Sequence, residues 1–453
     1  MELDLSHEVS RIYTSWNARY FDRERHRSKN TLDIFGERGC GKTAAAQAYV
    51  RAHKNKARYF SFADLDFAAA LTAFAAAFEL ENNNPASWDE AGLLFRKKYK
   101  NQALHVLLDD LEHFPQKKEF DAACFLHIAR GRIVVSKLRR RIREDWDPDD
   151  NNQASVYIGC RTPADYCKYF PAYSKQDVLR LFSMTGGILT ILHELDERAG
   201  LEENLRTLLR YDSAFSRFLP EWLGEYFRTP ESYYPILCSM ANGKRRLSEI
   251  AQDAGYPNNK CQTYLRALIH ARLVRTESLR GRKSVTYHLT NSYIAAWCLF
   301  VYGNRARQVS DPDGLLRQVM DEIDKKLALP AFYRSCFRYL ELSTKEYLFP
   351  YRYPSVAELK TDVPFRFKDG YALKLNYCVR IDSQTLIVIL PDSPEKRYTK
   401  EDIGHIRSAV NRFDTLYGTD IVIFSPHRFS DWCVHEASKD ELLHLVAMER
   451  LRY

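Results

Sequence analysis

Residues 31–52, TLDIFGERGCGKTAAAQAYVRA, constrain the fold more than any other part of this chain. TLDIF (31–35) is a short apolar run of the kind that forms a buried strand, and AAAQAYVRA (44–52) is rich in helix formers. Between them lies GERGCGKT. Gly36, Gly39 and Gly41 allow the backbone to curl until its N–H groups converge, and the following helix adds the positive end of its dipole. Strand, glycine loop and helix in that order predict a phosphate cradle made of Gly36, Glu37, Arg38, Gly39, Cys40, Gly41, Lys42 and Thr43. Lys42 is expected to reach the β/γ-phosphates of a nucleotide, and the Thr43 hydroxyl to ligate Mg2+.

Such a loop needs a second strand that ends in a carboxylate near the metal. ALHVLLDDLEHF (103–114) supplies one. Asp109, the first acid after the apolar run, is the expected metal-side group, and Asp110 stands where an acid could activate the attacking water. Aspartate is one methylene shorter than glutamate, so hydrolysis is expected to be slow unless Glu112 or a partner residue substitutes. A helix N-cap is the competing role for Asp110. SVYIGC (155–160) reads as a neighbouring strand that delivers Arg161 and Thr162 to the same sheet edge. There Arg161 either senses the γ-phosphate or pairs with Asp165 in a surface loop. The charged stretch 137–150 is read as an exposed helix and solvated loop, with nucleic-acid contact as the alternative.

At 453 residues the chain exceeds one comfortable core, at roughly 150 residues per domain. The expected division is an ATPase-type domain over 1–200, a helical linker over 201–228, a third block over 229–305 and a C-terminal domain over 306–453. With 45% hydrophobic and 28% charged residues and no low-complexity tract, the composition is that of a folded protein. The start of the chain lacks the apolar run of a signal peptide, and the most apolar stretch, Phe67–Phe78, is too short to span a bilayer. A cytoplasmic protein without a membrane partner is expected. Ten cysteines without a Cys-x-x-Cys pair predict reduced thiols rather than zinc ligands or disulfides. The net charge of +8 is modest, but basic residues cluster at RKKYK (96–100), KLRRRIR (137–143), GKRR (243–246) and RGRK (280–283).

SMTGGILTILHELDE (183–197) reads as a glycine pair leading into a helix, able to approach a ligand or a neighbouring helix closely. Residues 232–290 then read as helix, helix, helix and hairpin, a winged helix-turn-helix. Its third helix has a buried stripe of Cys261, Leu265, Leu268 and Ile269. Asn259, Lys260, Gln262, Thr263 and Arg266 are left on the outer face, with Arg280, Arg282 and Lys283 at the hairpin tip. These residue types meet base edges and phosphates, so double-stranded DNA is one expected partner. The competing reading packs this block on the core or on a protein partner. From Pro330, an amphipathic helix with Phe332, Cys336, Phe337 and Leu340 inward precedes strands over 371–382, 385–392 and 419–426, with a helix over 400–417.

Together, GERGCGKT, VLLDDLEHF, TGGIL, the winged-helix block and TNSYIAAWCLFVYGNR resemble the archaeal-type P-loop ATPases of the STAND branch. That resemblance covers most of the chain. It implies an α/β P-loop NTPase core with a parallel sheet, then a winged helix-turn-helix, then a C-terminal α/β restriction-endonuclease-like domain. It also implies ATP rather than GTP as the nucleotide, and an ATP-dependent switch or DNA-associated activity. Self-association, common among such switches, would bring an arginine in trans. The C-terminal domain departs from the pattern: Asn376 stands where a metal-binding Asp is required and Leu390-Pro391-Asp392 where Glu-x-Lys is required. Glu341, Asp382 and Asp392 are the remaining acids, so a catalytically silent docking domain is expected. Three functions follow: an ATP-operated switch coupled to DNA, a protein-interaction or defence-system subunit that uses ATP structurally, and an ATP-dependent nuclease.

Overall fold

The computed structural model describes residues 31–111, 114–128, 133–139, 155–278, 285–345, 360–366, 372–379, 385–410 and 419–451. The chain divides into two compact units, Met1–Cys160 and Arg161–Tyr453.

The first unit is a five-stranded sheet with helices on both faces. Its elements are β1 (Thr31–Gly36), α1 (Lys42–Ala52), β2 (Ala57–Ser61), α2 (Phe67–Ala77), α3 (Trp88–Tyr99), β3 (Leu104–Asp109), a helical segment over 117–128, β4 (Ile133–Arg139) and β5 (Ser155–Ile158). The strand order is β2-β3-β4-β1-β5, and every neighbouring pair is parallel. Parallel sheets are covered on both faces, and β3 accordingly is buried along its whole length. On one face α2, α3 and residues 117–128 close an aromatic core in which Phe60, Phe62, Phe74, Phe78, Trp88, Phe95, Phe114 and Phe120 are all buried. Each fully buried ring of this kind contributes about 1.5–3 kcal/mol.

Local chemistry sets the helix ends. Asp66 caps α2 by accepting the Ala69 amide at 2.8 Å, and Ser87 caps α3 by accepting that of Glu90 at 3.2 Å. The basic run 96–100 closes α3, where Lys97 pairs with Glu81 and Lys98 with Glu79. That cluster complements the helix dipole and its own acids, which accounts for it without a polyanion.

One expectation is overturned here. Residues 137–139 are not the start of an exposed helix; they belong to β4, which lies between β3 and β1 in the middle of the sheet. Lys137 is tolerated there because its ammonium lies 2.9 Å from Asp121 Oδ1 and 3.7 Å from the centre of the Phe125 ring. Residues 140–150 lie outside the described residues.

The second unit opens with α4 (Pro163–Tyr169) and α5 (Lys175–Thr185). Thr162 and Asp165 form a capping box at the start of α4. The glycine pair lies after α5 rather than before a long helix: Gly186, at φ 60°, ends α5, and only one turn, Leu189–Leu192, follows. Next come α6 (Leu201–Leu208), α7 (Ala214–Tyr226), α8 (Tyr234–Ala241), α9 (Leu247–Asp253) and α10 (Asn258–His270). The antiparallel pair β6 (Val274–Ser278) and β7 (Val285–Leu289) completes the three-helix and hairpin block. Cys261, Leu265 and Leu268 are fully buried, whereas Ile269 is only partly so.

TNSYIAAWCLF forms α11 (Ser292–Phe300), a buried staple. Asn291 donates to Gly186 O at 3.0 Å, the Tyr293 hydroxyl to Phe215 O at 2.9 Å, and Trp297 Nε1 to Ser216 O at 3.0 Å. Downstream are α12 (Pro312–Ile323), α13 (Leu329–Lys345), β8 (Lys360–Arg366), β9 (Ala372–Val379), β10 (Thr385–Ile389), α14 (Lys400–Val410), β11 (Thr419–Ser425), α15 (Asp431–Ser438) and β12 (Leu443–Ala447). The last five strands make one mixed sheet, ordered β12-β11-β10-β9-β8. β8, β9 and β10 pair antiparallel, and β10, β11 and β12 parallel. Sequence periodicity did not reveal β8 or β12.

Among the described residues, no helix is long and apolar enough to cross a membrane, and the cysteines are free thiols.

Candidate functional site

The loop after β1 has the backbone its glycines predict. Gly39 and Gly41 take φ of 74° and 95°, in the left-handed region where a Cβ is penalised. At Gly36 the constraint is space: a Cβ there would lie 2.4 Å from Ile158 O and 2.7 Å from Cys40 Sγ. α1 starts directly at Lys42 with no side-chain cap and no acid in its first turn, so its leading N–H groups and dipole are open to an anion.

Lys42, only 8% exposed, folds back so that Nζ donates to Gly36 O at 2.7 Å and Glu37 O at 2.9 Å, with Cys40 Sγ at 3.7 Å. Its charge therefore sits inside the curl of the loop. Cys40 is buried, and burial raises its thiol pKa. Glu37 accepts a hydrogen bond from the Cys160 thiol at 3.4 Å, which ties the loop to the end of β5. Arg38 is partly exposed.

Asp109 ends β3 and is 4% exposed. Its Oδ2 accepts the Thr43 hydroxyl at 2.6 Å and the Tyr59 phenol at 3.1 Å, and its Oδ1 accepts the Asp110 amide at 2.9 Å. Burial raises the carboxyl pKa, and the Thr43 and Tyr59 hydrogen bonds oppose that rise. Asp110 takes φ 56°, not the extended backbone usual for an N-cap, and its Oδ2 accepts from Ser61 Oγ at 3.1 Å. Tyr59 and Ser61, two residues apart on β2, were missed in the sequence. Reading ARYFS as a strand with period two would have placed both beside the acids of β3. Glu112 lies outside the described residues.

Arg161 opens the second unit and is buried, at 9% exposure, rather than placed in a surface loop. Its amide donates to Gly187 O at 2.8 Å. Oδ2 of Asp165 accepts from the amide and hydroxyl of Thr162, both at 2.9 Å.

On α10, Asn259, Lys260, Thr263 and Arg266 are exposed and Gln262 is half-buried, all clear of the buried stripe. The Lys260 ammonium lies 4.8 Å from the Tyr256 ring centre and 5.7 Å from that of Tyr264. Arg280, Arg282 and Lys283 lie outside the described residues. In the C-terminal sheet Asn376 stands opposite Val388, and Asp392 is exposed beyond the end of β10. Asp382 and the side chain of Glu341 lie outside the described residues.

No family model matches the chain. It is 23% identical over 143 residues to an uncharacterized protein of Methanocaldococcus jannaschii, a match over 30% of this chain and 32% of that protein. The chain thus spans about a third of the length of the curated relative it matches. Among solved structures, a Walker-type ATPase of Pyrococcus abyssi is similar over 63% of this chain and 95% of its own, at 12% identity and a TM-score of 0.42. Cdc6p of Pyrobaculum aerophilum is similar over 70% and 94%, at 12% identity and a TM-score of 0.32. A chain of Drosophila ORC bound to DNA is similar over 66% and 100%, at 10% identity and a TM-score of 0.27. TM-scores under 0.5 assign no shared fold, so the functional reading rests on the loop and its carboxylates.

Proposed function

We propose that this chain binds ATP with Mg2+ at Gly36–Thr43, hydrolyses it slowly, and uses the nucleotide as a switch coupled to duplex DNA. The observation that carries this reading is the 2.6 Å hydrogen bond between Thr43, first-turn residue of α1, and Asp109, last residue of β3. It joins the phosphate loop to a buried acid at the carboxyl ends of parallel strands, where α/β sheets bind ligands.

The donors suit the group. Thr43 spends its one hydrogen on Asp109 and keeps its lone pairs for a cation, and Asp109 brings the negative charge. Bound there, Mg2+ would neutralise charge on the β- and γ-phosphates. Lys42 exchanges its contacts with Gly36 O and Glu37 O for phosphate oxygens, and the open N–H groups of α1 take the rest. Asp110, held by Ser61, is the acid next in line to orient a water. ATP rather than GTP follows from the family resemblance, as does the STAND branch.

The helix-helix-helix-hairpin block is read as a winged helix that presents Asn259, Lys260, Gln262, Thr263 and Arg266 to DNA, with Arg280, Arg282 and Lys283 at its tip. The C-terminal mixed sheet is read as a silent nuclease-like docking domain, because Asn376 replaces the required acid.

Binding and turnover of ATP and GTP by wild type and Lys42→Ala, with and without duplex DNA over a salt series, test the whole. Lys42-dependent ATP binding that alters DNA affinity supports the switch. ATP binding without such coupling favours a protein-interaction subunit, and absence of Lys42-dependent binding removes the reading.

A further inference from the structure

We propose that Tyr59 is a positioning residue for Asp109, holding that carboxylate in the orientation in which it meets a divalent cation at Thr43. The inference rests on the Mg2+-nucleotide reading of the same site.

β2 and β3 pair in parallel, with Tyr59 opposite Leu107 and Ser61 opposite Asp109. Tyr59 therefore lies two residue pairs short of the acid, on the same face of the sheet, and the length of the phenol covers that distance, bringing its oxygen to 3.1 Å from Asp109 Oδ2. Asp109 is then fixed from three directions: by Thr43 at the start of α1, by Tyr59 on β2, and by the Asp110 amide at the end of its own strand. Two of the three donors converge on Oδ2. Without the phenol, Oδ2 keeps only the Thr43 hydroxyl, a group that must also face the cation. A ligand carboxylate stripped of an orienting partner typically loses 10- to 100-fold in metal affinity.

The phenol touches none of the groups that hold the phosphates. Lys42 and the N–H groups of the loop lie on β1 and α1, so nucleotide binding without metal should not depend on Tyr59. Phenylalanine keeps the ring and its packing, so Tyr59→Phe removes only what the phenol oxygen contributes, its hydrogen bond to Asp109 and its interaction with Ser61.

The test is binding of a fluorescent ATP analogue, followed by anisotropy while Mg2+ is titrated, for wild type, Tyr59→Phe, Asp109→Asn and the double variant. Tyr59→Phe should need about 10- to 100-fold more Mg2+ for half-saturation and bind the metal-free nucleotide like wild type. In the Asp109→Asn background the same substitution should add nothing, because the group it orients has lost its charge. An unchanged Mg2+ requirement overturns the inference while leaving the site reading intact. So does a loss that is equal with and without Mg2+, which would assign Tyr59 to packing, or a full additional effect in the Asp109→Asn background. Absence of Lys42-dependent nucleotide binding in wild type would overturn the site reading itself, and this inference with it.

Discussion

The Thr43 hydroxyl donates to Oδ2 of Asp109 across 2.6 Å, joining the first turn of α1 to the end of β3. The two residues are 66 apart in the chain, and the fully parallel sheet brings them together with only β4 between β3 and β1, the strand that leads into α1. The contact satisfies a buried acid, and in the proposed site it leaves the hydroxyl lone pairs for a cation. Thr43→Val, which keeps shape and removes the hydroxyl, should lower stability by about 1–2 kcal/mol, since a hydrogen bond to a charged group is lost. It should also abolish the effect of Mg2+ on nucleotide affinity. Denaturant unfolding and Mg2+ titration measure the two parts separately, and a variant with wild-type Mg2+ dependence would sink the assignment of Thr43.

Asp110 carries both strain and a carboxylate. At φ 56° a side chain is costly, though Asp tolerates this region better than most residues. Asp110→Gly should therefore be more stable than Asp110→Ala by about 1 kcal/mol. If the carboxylate orients the attacking water, both variants should lose turnover alike, by about 100-fold or more, while still binding ATP. Turnover that tracks stability between the two variants would show that Asp110 acts through the backbone only.

His105 gives the first unit a pH dependence whose sign is fixed. It is fully buried in β3, bonded through Nε2 to Ser136 Oγ at 2.6 Å, and burial lowers its pKa from 6.5 to about 3. The folded state keeps the ring neutral while the unfolded chain takes a proton below about 6.5. Stability is therefore complete above that pH and falls as pH drops toward 3, with a slope approaching about 1.4 kcal/mol per pH unit. His105→Leu combined with Ser136→Ala, which removes both polar partners, should flatten this slope in unfolding curves taken between pH 7 and 4. An unchanged slope would place the dependence elsewhere.

What the sequence revealed follows from what is local. The loop over 36–43 is eight consecutive residues, in which Gly39 and Gly41 take left-handed backbone, Lys42 folds onto Gly36 O and Thr43 meets Asp109. β4 was hidden because its second half carries Lys137 and Arg139, and a central parallel strand ordinarily reads as continuous apolar sequence. The groups that allow a lysine there, Asp121 and Phe125, lie 16 and 12 residues away and are brought in by the helical segment over 117–128. Tyr59 and Ser61 were hidden for a similar reason: their role is defined by the register of β2 on β3, which no single-strand pattern states. The glycine pair was recognised as a site of close approach, but its approaching groups, Asn291 and the Arg161 backbone, come from elsewhere in the second unit.

Those approaching groups make the glycines unequal. A Cβ on Gly187 would lie 2.0 Å from the Arg161 carbonyl oxygen, a backbone atom with little room to move, at φ 76°. Gly243 has a similar φ of 93° but nothing within 4 Å. Gly243→Ala should cost only the left-handed penalty, about 1 kcal/mol. Gly187→Ala should cost more than about 2 kcal/mol and disturb the backbone at Arg161. Unfolding of the two variants side by side checks this, and equal losses would mean that the Arg161 contact yields without cost.

The outer face of α10 can be tested through salt. Each phosphate neutralised by a cation releases counterions, so the slope of log affinity against log salt should shrink by about 0.9 for each cation removed from a true DNA contact. Lys260→Gln and Arg266→Gln each remove one exposed charge from that face. Lys260 also loses its place over Tyr256 and Tyr264, about 0.5–1 kcal/mol of stability that unfolding would register without altering the salt slope. Lys97→Gln is the matching control, because that cation is paired with Glu81 at the end of α3 in the other unit. If the winged-helix reading is right, both α10 variants flatten the slope and the control does not. If all three leave it unchanged, the face of α10 is a solvated or protein-facing surface, and the nucleotide switch, where present, acts on a partner other than DNA.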